Sequence, residues 1–204
     1  KGKTLGVWFY GNEYPFLSWM SRLGLATDGS ANGVTVLKQG WGVEPLTEGQ
    51  AACVSTMSYN EYWVVRDAGY TPEQLTVFKY QAEGASTLED GLYVLEKNLG
   101  DDSFKDKMVR FVRASMKGWK YAEANPKEAA SIILDNDDAG VQTEKHQIRM
   151  MGEIAKLTAG SNGSLDPSDY ERTVKVLMSG ASDPVITKEP SGAWTHDITN
   201  AALN

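Results

Sequence analysis

The chain has 204 residues, 41 % of them hydrophobic and 23 % charged, a balance that supports a core and excludes intrinsic disorder. Its net charge of −7 and lack of any basic cluster exclude a nucleic-acid partner, because phosphate backbones are met by Lys and Arg patches. No apolar run reaches the roughly 18 residues that a membrane-spanning helix needs. The single cysteine, Cys53, leaves no internal disulfide and no Cys-based metal cluster, and fits a cytosolic or a disulfide-free periplasmic protein equally well. The chain starts at Lys1-Gly2-Lys3 without a Met, a signal peptide or a lipobox, and is read as cut or processed from something longer. Six Trp and nine Tyr are many for this length, so buried or stacked rings are expected to matter.

The pattern changes character near residue 85. Before it, short apolar runs alternate with short helical stretches. Thr4-Leu5-Gly6-Val7-Trp8-Phe9 reads as a strand, broken by Gly11-Asn12-Glu13. Pro15 suits a first helical turn, and Phe16, Leu17, Met20 and Leu23 recur at helical spacing up to Gly24. Val34-Thr35-Val36-Leu37 predicts a second strand, Pro45 to Gln50 a short helix, and Ala51-Ala52-Cys53-Val54-Ser55-Thr56 a third strand. A helix is expected from about Tyr59 to Ala68, and a fourth strand at Leu75-Thr76-Val77-Phe78. Alternation of this kind, with continuous apolar strands, is the pattern of a parallel sheet covered on both faces.

One more strand is predicted at Gly91-Leu92-Tyr93-Val94-Leu95, after which helices dominate. Ser103 is the expected N-cap of a helix whose inward stripe is Phe104, Met108, Phe111, Val112, Trp119 and Ala122. Asn125-Pro126 restarts a helix, with Asn125 as cap and Glu128 at the capping-box position. A third helix follows Thr143, a fourth opens at Asp166-Pro167, and the tail from Pro184 reads as irregular. These amphipathic helices ask for a sheet that the chain does not supply, so a lobe's worth of sheet is inferred to be missing upstream.

In open α/β sheets, ligands bind beyond the carboxyl ends of the strands. Two turns there attract notice. In Tyr10-Gly11-Asn12-Glu13-Tyr14, Gly11 allows close backbone approach and the following helix offers free N–H groups; the polar residues equally suit an ordinary helix cap. In Ser58-Tyr59-Asn60-Glu61-Tyr62-Trp63, rings, an amide and a carboxylate suit a flat heterocycle, the rings stacking on its faces while Asn60 and Glu61 read its edge. The alternative is a plain helix start with its aromatics in the core. Trp41, in a Gly-Trp-Gly step, lines the same cleft or is a structural loop residue. Trp119 reads as core, and Cys53 as an inert buried thiol. Two histidines, His146 and His196, are too few for a zinc site, so no metal and no cofactor is expected. No nucleophile elbow, phosphate loop or dinucleotide fingerprint is present. The weight falls on binding, not catalysis.

The segments Lys1-Gly2-Lys3-Thr4-Leu5-Gly6-Val7-Trp8, Gly11-Asn12-Glu13-Tyr14-Pro15-Phe16, Lys38-Gln39-Gly40, Tyr59-Asn60-Glu61-Tyr62, Lys117-Gly118-Trp119, Asn125-Pro126-Lys127-Glu128-Ala129-Ala130, Ile186-Thr187-Lys188 and Trp194-Thr195-His196 follow in order along the chain. Together they resemble the SsuA/thiamine-pyrimidine-precursor family, the solute-binding proteins of ABC importers. The resemblance implies a type II periplasmic-binding-protein fold, in which two α/β lobes close on a ligand. Residues 1–84 then look like the second lobe, and residues 85–204 like the chain returning to the first as a helix-rich portion. The family's first segment is absent, in agreement with the missing sheet.

The implied function is capture of a thiamine-pyrimidine precursor or similar flat heterocycle, handed to an ABC permease from a periplasmic or other extracytoplasmic location. Tyr10, Gly11, Asn12, Glu13, Tyr14, Trp41, Tyr59, Asn60 and Glu61 are the expected ligand-binding residues, with no catalytic or metal site. Self-association or a companion chain is expected to replace the absent lobe. Two alternatives stand beside this: a thiamine-pyrimidine synthase that consumes pyridoxal phosphate, and a ligand-sensing domain of the same fold. If Glu61 accepts a hydrogen bond from an amino-pyrimidine, Glu61→Gln weakens that ligand by about 1–3 kcal/mol. Unchanged affinity in titration calorimetry removes Glu61 from the site.

Overall fold

In Thr4-Leu5-Gly6-Val7 every residue but Gly6 is β-branched or bulky and apolar, which suits a pleated, half-buried surface, and these four residues form β1. The computed structural model describes residues 1–179 and 184–203. β2 (Thr35–Lys38) and β3 (Cys53–Val54) flank β1 on either side, both parallel to it, giving the order β2-β1-β3. Thr4 stands opposite Thr35 and Val7 opposite Lys38, while Leu5 faces Cys53 and Gly6 faces Val54. Parallel neighbours need crossovers, supplied by α1 (Glu13–Arg22) and by the loop carrying α2 (Glu44–Thr47). Since all three strands run the same way, the loops that follow them leave from one edge.

α1 places Phe16 and Met20 four residues apart on one face, where they meet Val7 and Val34 in a core flanked by Leu5, Leu17, Trp19, Leu25, Val36 and Tyr80. Ser18 is fully buried on the same helix. Its hydroxyl lies 3.1 Å from that of Ser179, just after α7 (Pro167–Met178), which packs on α1. Arg22, in the last turn of α1, donates to the carbonyls of Gly84 and Glu83, fixing the turn that ends the first ninety residues. α3 (Glu61–Asp67) and a 3₁₀ turn at Pro72–Gln74 complete this part.

The fold is mixed α/β, as expected, but its sheet is smaller than the sequence pattern suggests. Leu75–Phe78 forms no strand. Phe78 and Tyr80 instead lay their rings against Trp19, at centroid distances of 5.3 and 6.2 Å, so side-chain stacking on α1 replaces ladder bonds. Gly91–Leu95 also forms no strand: Leu92, Tyr93 and Leu95 stay exposed, and the segment joins no ladder among the described residues. A hydrophobic run becomes a strand only where a neighbour accepts its hydrogen bonds.

The described residues divide into two units, Lys1–Glu89 with Asp166–Ser191, and Asp90–Leu165 with Gly192 onward. The first unit therefore takes back α7, which the sequence reading places with the later helices, because Val174 and Val176 are buried there and Ser179 meets Ser18. The second unit holds α4 (Asp102–Ala124), α5 (Pro126–Asp135), α6 (Glu144–Thr158) and α8 (Asp197–Leu203). α8 lies in the stretch expected to be irregular. It docks on α4, where Arg113 donates to the carbonyls of Ala201 and Ala202 at 2.9 and 3.0 Å, satisfying acceptors that a helix end leaves open.

The caps also shift. Asp101, not Ser103, caps α4, accepting from the N–H groups of Ser103 and Phe104. Asn125 turns its amide back to the Tyr121 carbonyl and so closes α4, making no side-chain cap on α5. Glu128 hydrogen-bonds the Tyr121 phenol in place of the expected capping box. Trp119, expected in the core, is 45 % exposed and Phe111 52 % exposed; of the α4 stripe only Val112 is buried.

Phe16→Ala should therefore destabilise the chain by about 3–5 kcal/mol in urea unfolding, and Trp119→Ala by less than about 1 kcal/mol. Burial pushes the Tyr80 phenol up to about 12. A raised folded-state value means that its contribution is intact below the ordinary tyrosine value near 10 and is lost as pH climbs towards 12. Stability should fall across that window, and Tyr80→Phe should flatten the decline in a pH series of urea midpoints.

Candidate functional site

The three strands end within reach of one another at Val7, Lys38 and Val54, and the residues that follow are tied together. The Trp8 indole donates to the Gly40 carbonyl at 2.9 Å, joining the loops after β1 and β2. Gln39 is buried, and its carboxamide reaches across to Ser55, donating to the carbonyl and accepting from the N–H, both at 2.9 Å. A further bond from the same amide to the Gly42 carbonyl, 3.2 Å, holds the Trp41 loop. This reach passes over Gly6, where a Cβ would stand 3.0 Å from Val54 and 3.1 Å from the Gln39 oxygen. Gly6 is thus required for close approach, not for backbone freedom.

Tyr10 and Gly11 turn the chain from β1 into α1 through positive φ, +65° and +110°. That conformation suits glycine but strains a tyrosine. The Tyr10 ring is 90 % exposed. Its phenol accepts from the Lys38 ammonium at 3.0 Å, and the same ammonium lies 4.5 Å from the ring centroid, a cation–π contact. That hydrogen bond, and then the lysine's charge, hold the phenol below the ordinary tyrosine value. Asn12 occupies the N-cap position of α1 without a capping bond, its amide donating to the Phe9 carbonyl. Glu13 accepts from the Gly11 N–H at 2.8 Å, and Tyr14 lies half-buried in the first helical turn.

Trp41 is 96 % exposed at the tip of its loop, below which Val43 is buried. Beyond β3, Glu61 opens α3 and is committed locally: one carboxylate oxygen accepts from the Met57 N–H at 2.9 Å, the other from the Asn60 amide at 2.7 Å. Tyr59 is half-buried beside them, and Tyr62 and Trp63 meet edge to face.

The structure therefore places all nine expected residues on the loops and helix starts of one sheet edge. Tyr10 and Trp41 face outward as open rings, whereas Glu13 and Glu61 act first as braces for their own turns. Sequence reasoning named neither Lys38 nor Gln39 as a site residue. The available signal was position, since both stand at the carboxyl end of a predicted strand, directly before Gly40. Cys53, in β3, is partly buried, and desolvation pushes its thiol up, away from reactivity. Among the described residues no cluster of His, Cys, Asp and Glu is arranged to hold a metal, and no helix is long and apolar enough to cross a membrane.

A family model described as NMT1/THI5 like matches residues 1–129, which takes in all three strands and the whole of this edge. No curated protein gives a significant match to the chain.

Gln39→Ala should lower stability by about 2–3 kcal/mol in urea unfolding, because it strands buried polar partners at Ser55. In an ultraviolet titration the Tyr10 phenol should ionise below 10, and Lys38→Gln should return it towards its ordinary value.

Proposed function

Because the chain belongs to the NMT1/THI5-like family, we propose that it binds a flat heterocycle of the thiamine-pyrimidine-precursor class at the carboxyl edge of β1, β2 and β3. The observation that carries this reading is the edge itself. Two exposed aromatic rings, Tyr10 and Trp41, project from loops that Trp8, Gln39 and Ser55 tie to a common frame. Rings held on braced loops offer stacking surface at little ordering cost. The first turn of α1 adds the Glu13 and Tyr14 N–H groups, which the Asn12 side chain does not cap, while Glu13 takes the Gly11 N–H. An amino group on the ligand meets the Glu61 carboxylate only by competing with Asn60 for it.

In this proposal the chain is the solute-binding component of an ABC importer, located periplasmically and delivering its ligand to the membrane permease. Residues 1–84 correspond to the second lobe of such a protein, and residues 85–204 to the part returning to the first. Family membership supports a substrate-binding role; most members are binding proteins and one is a pyrimidine synthase. Association with a second or companion chain belongs to the same proposal, supported by the exposed Phe111, Trp119, Ile132 and Leu157 of the second unit.

Titration calorimetry with aminopyrimidines, thiamine, riboflavin and pyridoxal phosphate, after a solution-mass measurement, tests the reading. Saturable binding of a pyrimidine or flavin, with the ligand recovered unchanged, is the expected outcome. Trp41→Ala should then weaken binding by about 0.5–1.5 kcal/mol. Conversion of pyridoxal phosphate would instead establish the synthase, and silence across the whole panel would overturn the binding reading.

A further inference from the structure

We propose that the cavity between α7 and the segment 81–86 binds a small zwitterion of the short α-amino acid class. The cavity measures about 330 Å³, at the small end of ligand pockets. It is lined by Gln81, Ser86, Asp169 and Arg172, all within the first unit. Its walls are pinned. Arg172 Nε donates to the Ser86 carbonyl at 3.3 Å, the Leu88 N–H donates to the Thr173 hydroxyl at 2.8 Å, and Arg22 holds the carbonyls of Glu83 and Gly84. These bonds leave a set of unused donors and acceptors facing the cavity. Ser86 is only 9 % exposed, yet its hydroxyl has no partner among the described residues. Buried polar groups ordinarily find one. The Gln81 carboxamide is likewise unpartnered among them. Arg172 gives Nη1 to Asp169 Oδ1, which leaves its Nη2 donors and the second Asp169 oxygen for another molecule.

The charges select the ligand. An anion placed on Arg172 also meets Asp169. It meets Asp166 too, whose carboxyl is held below the ordinary range first by the Ser168 hydroxyl and N–H and in smaller part by Arg172. A cation placed on Asp169 meets Arg172. A lone ion of either sign is therefore opposed, whereas a molecule carrying both charges a few bonds apart meets each with its opposite. Its carboxylate accepts from Arg172 Nη2 and the Ser86 hydroxyl, and its ammonium donates to the second Asp169 oxygen and the Gln81 carbonyl oxygen. The Asp169 and Arg172 side chains are each 41 % exposed, so a small solute reaches the pair from water. Because the described lining is polar, a long apolar side chain on the ligand gains no contact, which favours glycine, alanine and serine.

Titration calorimetry on the whole chain with glycine, L-alanine and L-serine, against acetate and methylammonium, tests the site. At least one of the amino acids should bind saturably, about tenfold or more tightly than either single ion. Ser86→Ala and Gln81→Ala remove groups without protein partners and leave the ties of Arg172 alone. Each should weaken the amino acid by about five- to tenfold without lowering the urea midpoint, and Arg172→Gln should abolish its binding. Silence with all three amino acids overturns the proposal, as does acetate or methylammonium binding equally tightly. Affinity unchanged in both Ser86→Ala and Gln81→Ala overturns it too, because the amino acid would then bind elsewhere. A lowered midpoint in Ser86→Ala would mean that the hydroxyl already serves the fold, and also overturns it. The cavity shares no residue with the strand edge, so each of these failures leaves the heterocycle reading standing.

Discussion

The carboxamide of Gln39, laid across Gly6 to the backbone of Ser55, is the constraint on which the candidate edge depends. A three-stranded sheet whose outer strand has two residues forms few ladder bonds of its own. The Gln39 side chain adds a rung beyond the point where β1 has ended, and it joins β2 to β3 although neither pairs with the other. Such a bridge is stable because it is buried and fully partnered; a buried amide with one bond unmade would be a liability of about 1–3 kcal/mol. Glycine at position 6 is what leaves room for it. With that bridge in place, the loops carrying Tyr10, Trp41 and Glu61 spring from a common base.

The electrostatics of the edge follow from how each turn is braced. A carboxylate next to an open N–H satisfies it, and Glu13 and Glu61 do so for Gly11 and Met57. Groups that look like ligand readers in the sequence are thereby drawn into the architecture. The exposed side chains of the edge include two rings and a cation, Tyr10, Trp41 and Lys38.

The second unit shows the same division between pattern and partner. Its helices have well-made ends, with Asp101 and Thr143 accepting from first-turn N–H groups and Arg113 closing α8. Small buried residues, Ala129, Ala130 and Ala202, suit the packing of α5 on α6 and of α8 on α4, where Met151 and Val112 are also buried. The apolar stripe on α4 is longer than the surface that covers it, so Phe111 and Trp119 remain partly in water. Periodicity reports that a helix has an apolar face; it carries no information about whether anything lies against that face.

Local physics made β1, α1, the Pro-started helices and the placing of all nine expected residues at strand ends legible in the sequence. Each of those rests on neighbours within a few positions: a β-branched run, a proline in the first turn, an i, i+4 pair such as Phe16 and Met20. The caps departed locally, at Asp101 and Asn125, and the larger departures concern partners distant in the chain. Leu75–Phe78 forms no strand and lays its one ring, Phe78, on Trp19, and Gly91–Leu95 joins no ladder among the described residues. The tail became α8 because Arg113 and α4 were there to receive it. So the sequence by itself determined β1, α1 and the Pro-started helices, and which residues follow the carboxyl ends of the strands. Tertiary structure alone decided that Gln39 is a brace and that Lys38 meets the Tyr10 phenol, because hydrogen bonds across 16 or 28 positions exist only once the strands are side by side.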